Sequence, residues 1–212
     1  APGGILSVGS DRGLCGAYNS NIQKEVDRYI AELKASGRGF KLYVIGRKAM
    51  DHATRVGHPV ESYLEDLNLE QLNFMDAASV SHMLVSAFRN GELSELKLAF
   101  TSFISMVKYK PHVAHFLPIA PAASEQKAAE SILEPGGPEL LGRLVPRYLE
   151  TCIFHALLES ITSESASRRF AMTNATDAAG DMKKDITRVY NRARQAKITA
   201  EISEIVSGAE AL

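Results

Sequence analysis

The stretch ATDAAGDMKKDITRVYNRARQAKITA, residues 175–200, decides the fold. Within it Ala175, Ala179, Met182, Ile186, Val189, Ala193, Ala196 and Ala200 recur at alternating steps of four and three, the heptad spacing that lines up one row of side chains along an α-helix. Alanine fills five of these eight positions. Small side chains let a second helix backbone approach closely, so the row predicts a thin coiled-coil seam. Ile198, Ile202, Ile205 and Ala209 form a second apolar stripe on another face near the C-terminus. Beyond Pro146 no proline interrupts the helical pattern, and its only glycines are Gly180 and Gly208. At 1.5 Å per residue a helix over residues 139–212 spans about 110 Å, too long to fold back into the core of a small domain. Since no other predicted helix here is long enough to cover the seam, its partner helix must come from elsewhere.

Upstream the pattern changes to alternating strands and helices. Ile5 to Val8 predicts a strand, and Ile22, Val26, Tyr29, Ile30 and Leu33 share one face of a helix capped by Asn19 or Asn21 and ended by Gly37 and Gly39. Lys41 to Ile45 predicts a second strand, Arg47 to Arg55 a short helix stopped by Gly57 and Pro59, and Val60 to Leu64 a third strand. Phe74, Ala77, Ser81, Leu84, Val85 and Phe88 lie on one face of another helix ending near Asn90-Gly91. Two further strands, one from Leu96 towards Met106 and one over His112 to Leu117, form a hairpin around Lys108-Tyr109-Lys110-Pro111. The fold class is therefore α/β: a small, open, mostly parallel sheet with an antiparallel edge hairpin, followed by one very long C-terminal helix. The organisation expected is an α/β domain over residues 1–118, a linker over 119–138 holding Pro121, Pro135 and Pro138, and a shaft helix over 139–212.

Composition narrows the function. The chain has 212 residues, 45% of them hydrophobic and 23% charged, with 24 Lys plus Arg against 25 Asp plus Glu and a net charge of -1. That balance gives no overall attraction to nucleic acid or an anionic membrane. The longest uncharged run, Pro111 to Ser124, is broken by Pro118 and Pro121 and is too short to span a bilayer, so no direct membrane insertion is expected. Cys15 and Cys152 are too few and too far apart for a disulfide scaffold.

Ser10 to Gly16, directly after the first strand, is where a phosphate-binding turn sits in many α/β proteins. A nucleotide- or phosphate-binding enzyme using this turn is the alternative reading. Its spacing is neither GxGxxG nor a Walker A, and the glycines suit a structural turn better than a ligand site. Cys15 reads as a packed thiol, and His112 and His115, three apart on a strand, point to opposite faces and cannot chelate one metal. No catalytic residue, cofactor or metal is assigned. On the long helix Lys183, Lys184, Arg188, Arg192, Arg194 and Lys197 stand against Asp185 alone, followed by Glu201, Glu204 and Glu210. A basic helix of this kind could also meet nucleic acid, but a buried alanine seam is no requirement of a base reader.

Two stretches resemble the gamma subunit of the F-type rotary ATP synthase. One is Ser10-Asp11-Arg12-Gly13-Leu14-Cys15-Gly16-Ala17 with Asn19-Ser20-Asn21. The other comprises Arg168 to Met172, Ala175-Thr176-Asp177, Tyr190 to Ala196 and Ile198 to Ala209. The resemblance implies a non-catalytic rotor shaft at the membrane periphery, on the cytoplasmic face in bacteria or the matrix face in mitochondria. It implies as partners the alpha and beta subunits of the catalytic hexamer, an epsilon or delta-type stalk subunit and the membrane ring of c subunits. It also places Gly4 to Gly16 well inside a complete gamma subunit, so the N-terminal helix that covers the seam in the family is not expected in this chain. By the same resemblance Arg168, Arg194, Gln195, Thr199, Glu201 and Glu204 face loops of the beta subunits, and Glu134, in Ile132-Leu133-Glu134-Pro135, belongs to the foot contact.

Overall fold

The computed structural model describes residues 1–65, 67, 69–119 and 137–210. Two compact units form, Ala1–Phe170 and Ala171–Leu212. The first holds β1 (Gly3–Val8), α1 (Tyr18–Ala35), β2 (Phe40–Ile45), α2 (Arg47–Val56), β3 (Val60–Tyr63), α3 (Phe74–Arg89), β4 (Glu95–Ser105) and β5 (Lys108–Leu117). It also takes in the start of α4 (Gly137–Glu210), a helix of 74 residues. The sheet order is β3-β2-β1-β4-β5, parallel throughout except for the β4–β5 hairpin. The α/β class and the long C-terminal helix are as the sequence predicts.

The period of two in β1 explains the layering. Ile5 faces Ile22, Val26, Ile30 and Leu33 of α1 and Ala49 and Ala53 of α2. Leu6 and Val8 face the opposite layer, with Ala77, Val80 and Leu84 of α3 and Leu149, Ile153 and Leu157 of α4. Burial on both faces is what a central parallel strand requires. Because the chain passes from β3 across β1 to β4, the connecting helix changes face. Chain order therefore reverses beside β1, and the crevice at its carboxyl end is the place where this architecture usually binds ligands.

Three local expectations are corrected. Neither Asn19 nor Asn21 caps α1: its N-cap is Ala17, with no side-chain cap bond. Gly37 does follow the C-cap, Ser36, in a left-handed conformation. Lys108 to Pro111 is not the hairpin turn but the start of β5, where Pro111 pairs with Thr101. Its missing N-H is tolerated because β5 is an edge strand. The beginning of α4 is not free of the sheet either. Ser7 pairs with Ala99, and beyond that point the backbone of β4 is met by α4. The Thr101 amide donates to Ser160 Oγ (3.3 Å), Ser163 Oγ donates to the Thr101 carbonyl (3.0 Å), and the Phe103 amide donates to Glu159 Oε2 (2.8 Å). The helix thus stands in for a missing strand.

The linker expected over residues 119–138 lies, apart from its ends, outside the described residues. Among the described residues no helix is long and apolar enough to cross a membrane.

Candidate functional site

The carboxyl end of β1 is filled by the chain itself. Gly46, between β2 and α2, has φ +88°, and a Cβ there would lie 2.3 Å from the Gly9 carbonyl oxygen. This close approach brings the start of α2 under the Ser10 to Gly16 turn. The Arg47 amide then donates to Asp11 Oδ1 (3.1 Å) and the Lys48 amide to the Ser10 carbonyl (2.9 Å). Two donors of the α2 N-terminus that could have received a phosphate are therefore satisfied by the turn.

Asn19 serves the same turn. Its Oδ1 accepts from the Ser10 amide (3.1 Å), and its Nδ2 donates to Ser10 Oγ (2.6 Å) and to Cys15 Sγ (3.1 Å). Ser10 Oγ donates to the Arg12 carbonyl at 2.7 Å. Cys15 is buried among these neutral groups, which pack its sulfur and supply no base to activate it. From α4, Ser167 Oγ donates to the Cys15 carbonyl (2.6 Å) and accepts from the Tyr109 hydroxyl (2.9 Å). The Arg168 guanidinium donates to the carbonyls of Arg12 (3.3 Å) and Gly13 (3.3 Å) and pairs with Glu164 at 2.5 Å. At the tip Leu14, φ +61°, is 75% exposed. Beside the turn, Tyr18 is buried, and that burial pushes its phenol well above the ordinary range, with a hydrogen bond to Ser160 partly opposing the shift. The turn is a braced structural corner.

Of the residues for which the resemblance implies partner contacts, only Arg168 belongs to this corner. Arg194, Gln195, Thr199, Glu201 and Glu204 lie on the second unit, all exposed. At about 100° per residue, Arg194 and Glu201 share one row, Gln195 and Thr199 another, and Glu204 falls beside the alanine seam. They are distributed around the helix and do not form a single patch. Lys184 pairs with Asp181 (2.9 Å), Arg188 with Asp185 (2.6 Å) and Lys197 with Glu201 (3.8 Å). Lys183, Arg192 and Arg194 have no ion pair among the described residues. The seam is exposed throughout, Met182, Ile186 and Val189 each by more than 60%. Ile198, Ile202 and Ile205 are exposed too, about 160° around the helix from that seam. Glu134 lies outside the described residues.

Sequence reading missed Tyr109 and the row Ser160, Ser163 and Ser167. The signal was present, because Ala156, Ser160, Ser163 and Ser167 step by four, three and four, a small-residue row matching the seam further along.

A family model described as ATP synthase matches residues 3–212. The ATP synthase gamma chain of Brevibacillus brevis is 41% identical over 209 residues, covering 98% of this chain and 72% of that relative. The gamma chain of Chloroflexus aurantiacus is 39% identical over 210 residues, with coverage of 98% and 72%. Among solved structures, the central stalk and c-ring of the Tetrahymena thermophila mitochondrial ATP synthase matches with TM-score 0.64 and 26% identity, over 82% of this chain and 76% of that one. The OSCP/F1/c-ring structure of the Euglena gracilis mitochondrial ATP synthase matches with TM-score 0.72 over 99% of this chain and 72% of that one; at 18% identity it speaks for the fold.

Proposed function

The chain belongs to the ATP synthase gamma-chain family, and from that premise we propose which of its residues carry torque. It is a non-catalytic subunit of the central stalk, a rotor shaft that couples ion-driven rotation of the membrane ring to ATP synthesis and hydrolysis in the hexamer of alpha and beta subunits. It works at the membrane periphery, on the cytoplasmic face in bacteria. The observation that supports the shaft reading best is the second unit itself: one helix whose heptad row is fully exposed. The row sets the large exposed apolar side chains of Met182, Ile186 and Val189 among small alanines. They fit a second helix at close range, so Ala175, Ala179, Met182, Ile186, Val189, Ala193, Ala196 and Ala200 form the coiled-coil seam.

Arg194, Gln195, Thr199, Glu201 and Glu204 meet loops of the beta subunits in turn as the shaft rotates. Arg168 acts at the globular end of the helix, and Glu134 belongs to the foot contact with the stalk subunit and ring. Placing the contacts around the helix suits an object that presents a different side to each beta subunit. Each angle then stabilises a different combination of open and closed beta subunits, which is a population shift driven from outside the catalytic site. Exposed charge pairs contribute about 0.2 to 1 kcal/mol, weak enough to form and break at every step, whereas breaking one side of a buried pair costs about 3 to 5 kcal/mol and would hold the shaft at one angle.

The test is to rebuild the complex with Arg194 and Lys197 both reversed to Glu, and to measure ATP hydrolysis and ATP-driven ion pumping separately. A fall in pumping per ATP hydrolysed, larger than for Glu204→Gln alone, supports the assignment. Unchanged rates in both variants would leave these residues as an ordinary solvated helix face.

A further inference from the structure

The first unit holds a cavity of about 510 Å³ between the last turns of α3, the end of β5 and the first turns of α4. Its walls are apolar, built from Val85, Phe88, Leu117, Ile119, Leu141 and Val145. The sequence of α4 opens it: Gly142 and Pro146 also line the cavity and carry no long side chain to fill the gap between the helices.

The cavity is not electrically neutral. Glu150 lies on its wall but is already paired, with His82 Nε2 at 3.3 Å and Arg147 Nη1 at 3.4 Å. Arg89 also lines it, and among the described residues that guanidinium has neither an ion pair nor a hydrogen bond. Among the described residues, one exposed cation without a partner therefore stands beside a partly open apolar cavity whose volume falls within the roughly 300 to 1,000 Å³ typical of small-molecule sites.

We propose that this cavity binds a small amphiphilic carboxylate, with its apolar chain among Val85, Phe88, Leu141 and Val145 and its carboxylate on Arg89. A neutral hydrocarbon would fill the chamber without using the guanidinium, and an amphiphilic amine would meet like charge at Arg89. A carboxylate matches the planar fork of donors and can take two hydrogen bonds from it. The site is separate from the seam and the charged helix, so it stands or falls independently of the rotor assignment.

The test is calorimetric titration of the full chain with decanoate, and with decanol as the uncharged counterpart. Decanoate should bind saturably at one site per chain and decanol about two- to fivefold more weakly. Arg89→Gln should weaken decanoate by about two- to fivefold, as expected for losing an exposed charge pair. Ser86→Trp, placed at an exposed rim position that leaves the core intact, should block binding while the melting temperature stays that of the parent. Equal binding of decanol, indifference to Arg89→Gln, or saturation unaffected by Ser86→Trp would each overturn the proposal. So would the absence of saturable heat. Concentration-dependent dimerisation abolished by Ser86→Trp, with no decanoate binding, would make the cavity a self-association face instead.

Discussion

Single side chains show why a turn that resembles a phosphate loop is a brace. Gly46 is required for its backbone, since φ +88° disfavours any side chain and a Cβ would strike the Gly9 carbonyl. Gly46→Ala should therefore destabilise the first unit by at least ~1 to 3 kcal/mol, measured by denaturant unfolding. Ser167 is the keystone from the helix side, because it satisfies both the Cys15 carbonyl and the Tyr109 hydroxyl. Ser167→Ala should cost about 1 kcal/mol, because the Tyr109 hydroxyl loses its partner while the Cys15 carbonyl keeps the Tyr18 amide at 3.2 Å. Adding Tyr109→Phe should cost less than its separate effect, since its hydroxyl has already lost that partner, and a double-mutant cycle reads the difference directly. Cys15, surrounded by neutral groups, should be replaceable by Ser with ATP turnover of the assembled complex close to the parent's. A loss of several orders of magnitude with assembly intact would instead indicate nucleophilic chemistry at that sulfur.

Helices and strands were legible where burial is apolar. The apolar run of Ile5 to Val8, the alternation from Leu96 to Phe100 and the helical spacing of Ile22 to Leu33 mark β1, β4 and α1, and Lys41 to Ile45, Val60 to Leu64 and His112 to Leu117 fall on the other three strands. What stayed hidden was buried by polar means. Ser160, Ser163 and Ser167 carry no apolar signal, yet each lies in the interior: the first two bond the backbone of Thr101 in β4, and Ser167 bonds the Cys15 carbonyl and the Tyr109 hydroxyl. Asn19 misled for a related reason: an asparagine at a helix start resembles a cap, but its amide is used on Ser10 and Cys15. The seam on the second unit was visible because no local partner disturbs its heptad, whereas the rows assigned to partner contacts came through family resemblance and not through any pattern of their own. Its alanines make a definite prediction. Ala179→Leu and Ala193→Leu should each overpack a close helix pair by about 1 to 3 kcal/mol and loosen assembly of the complex. Assembly of the double variant at parental affinity would remove the reason for small residues at those positions.

In the assembled complex the role we propose for the chain is mechanical: its angle, and not any group on it that reacts, selects which beta subunit opens. Such a role demands movement relative to the hexamer during turnover. The direct measurement is to fix the hexamer to a surface, attach a visible marker to the chain, and follow the marker while ATP is hydrolysed, before and after a reversible disulfide joins a cysteine at position 204 to a facing beta-subunit loop. The marker should rotate in one direction. Disulfide formation should stop rotation and steady hydrolysis together, and reduction should restore both. Hydrolysis continuing at its full rate with the chain locked in place would contradict the rotor assignment.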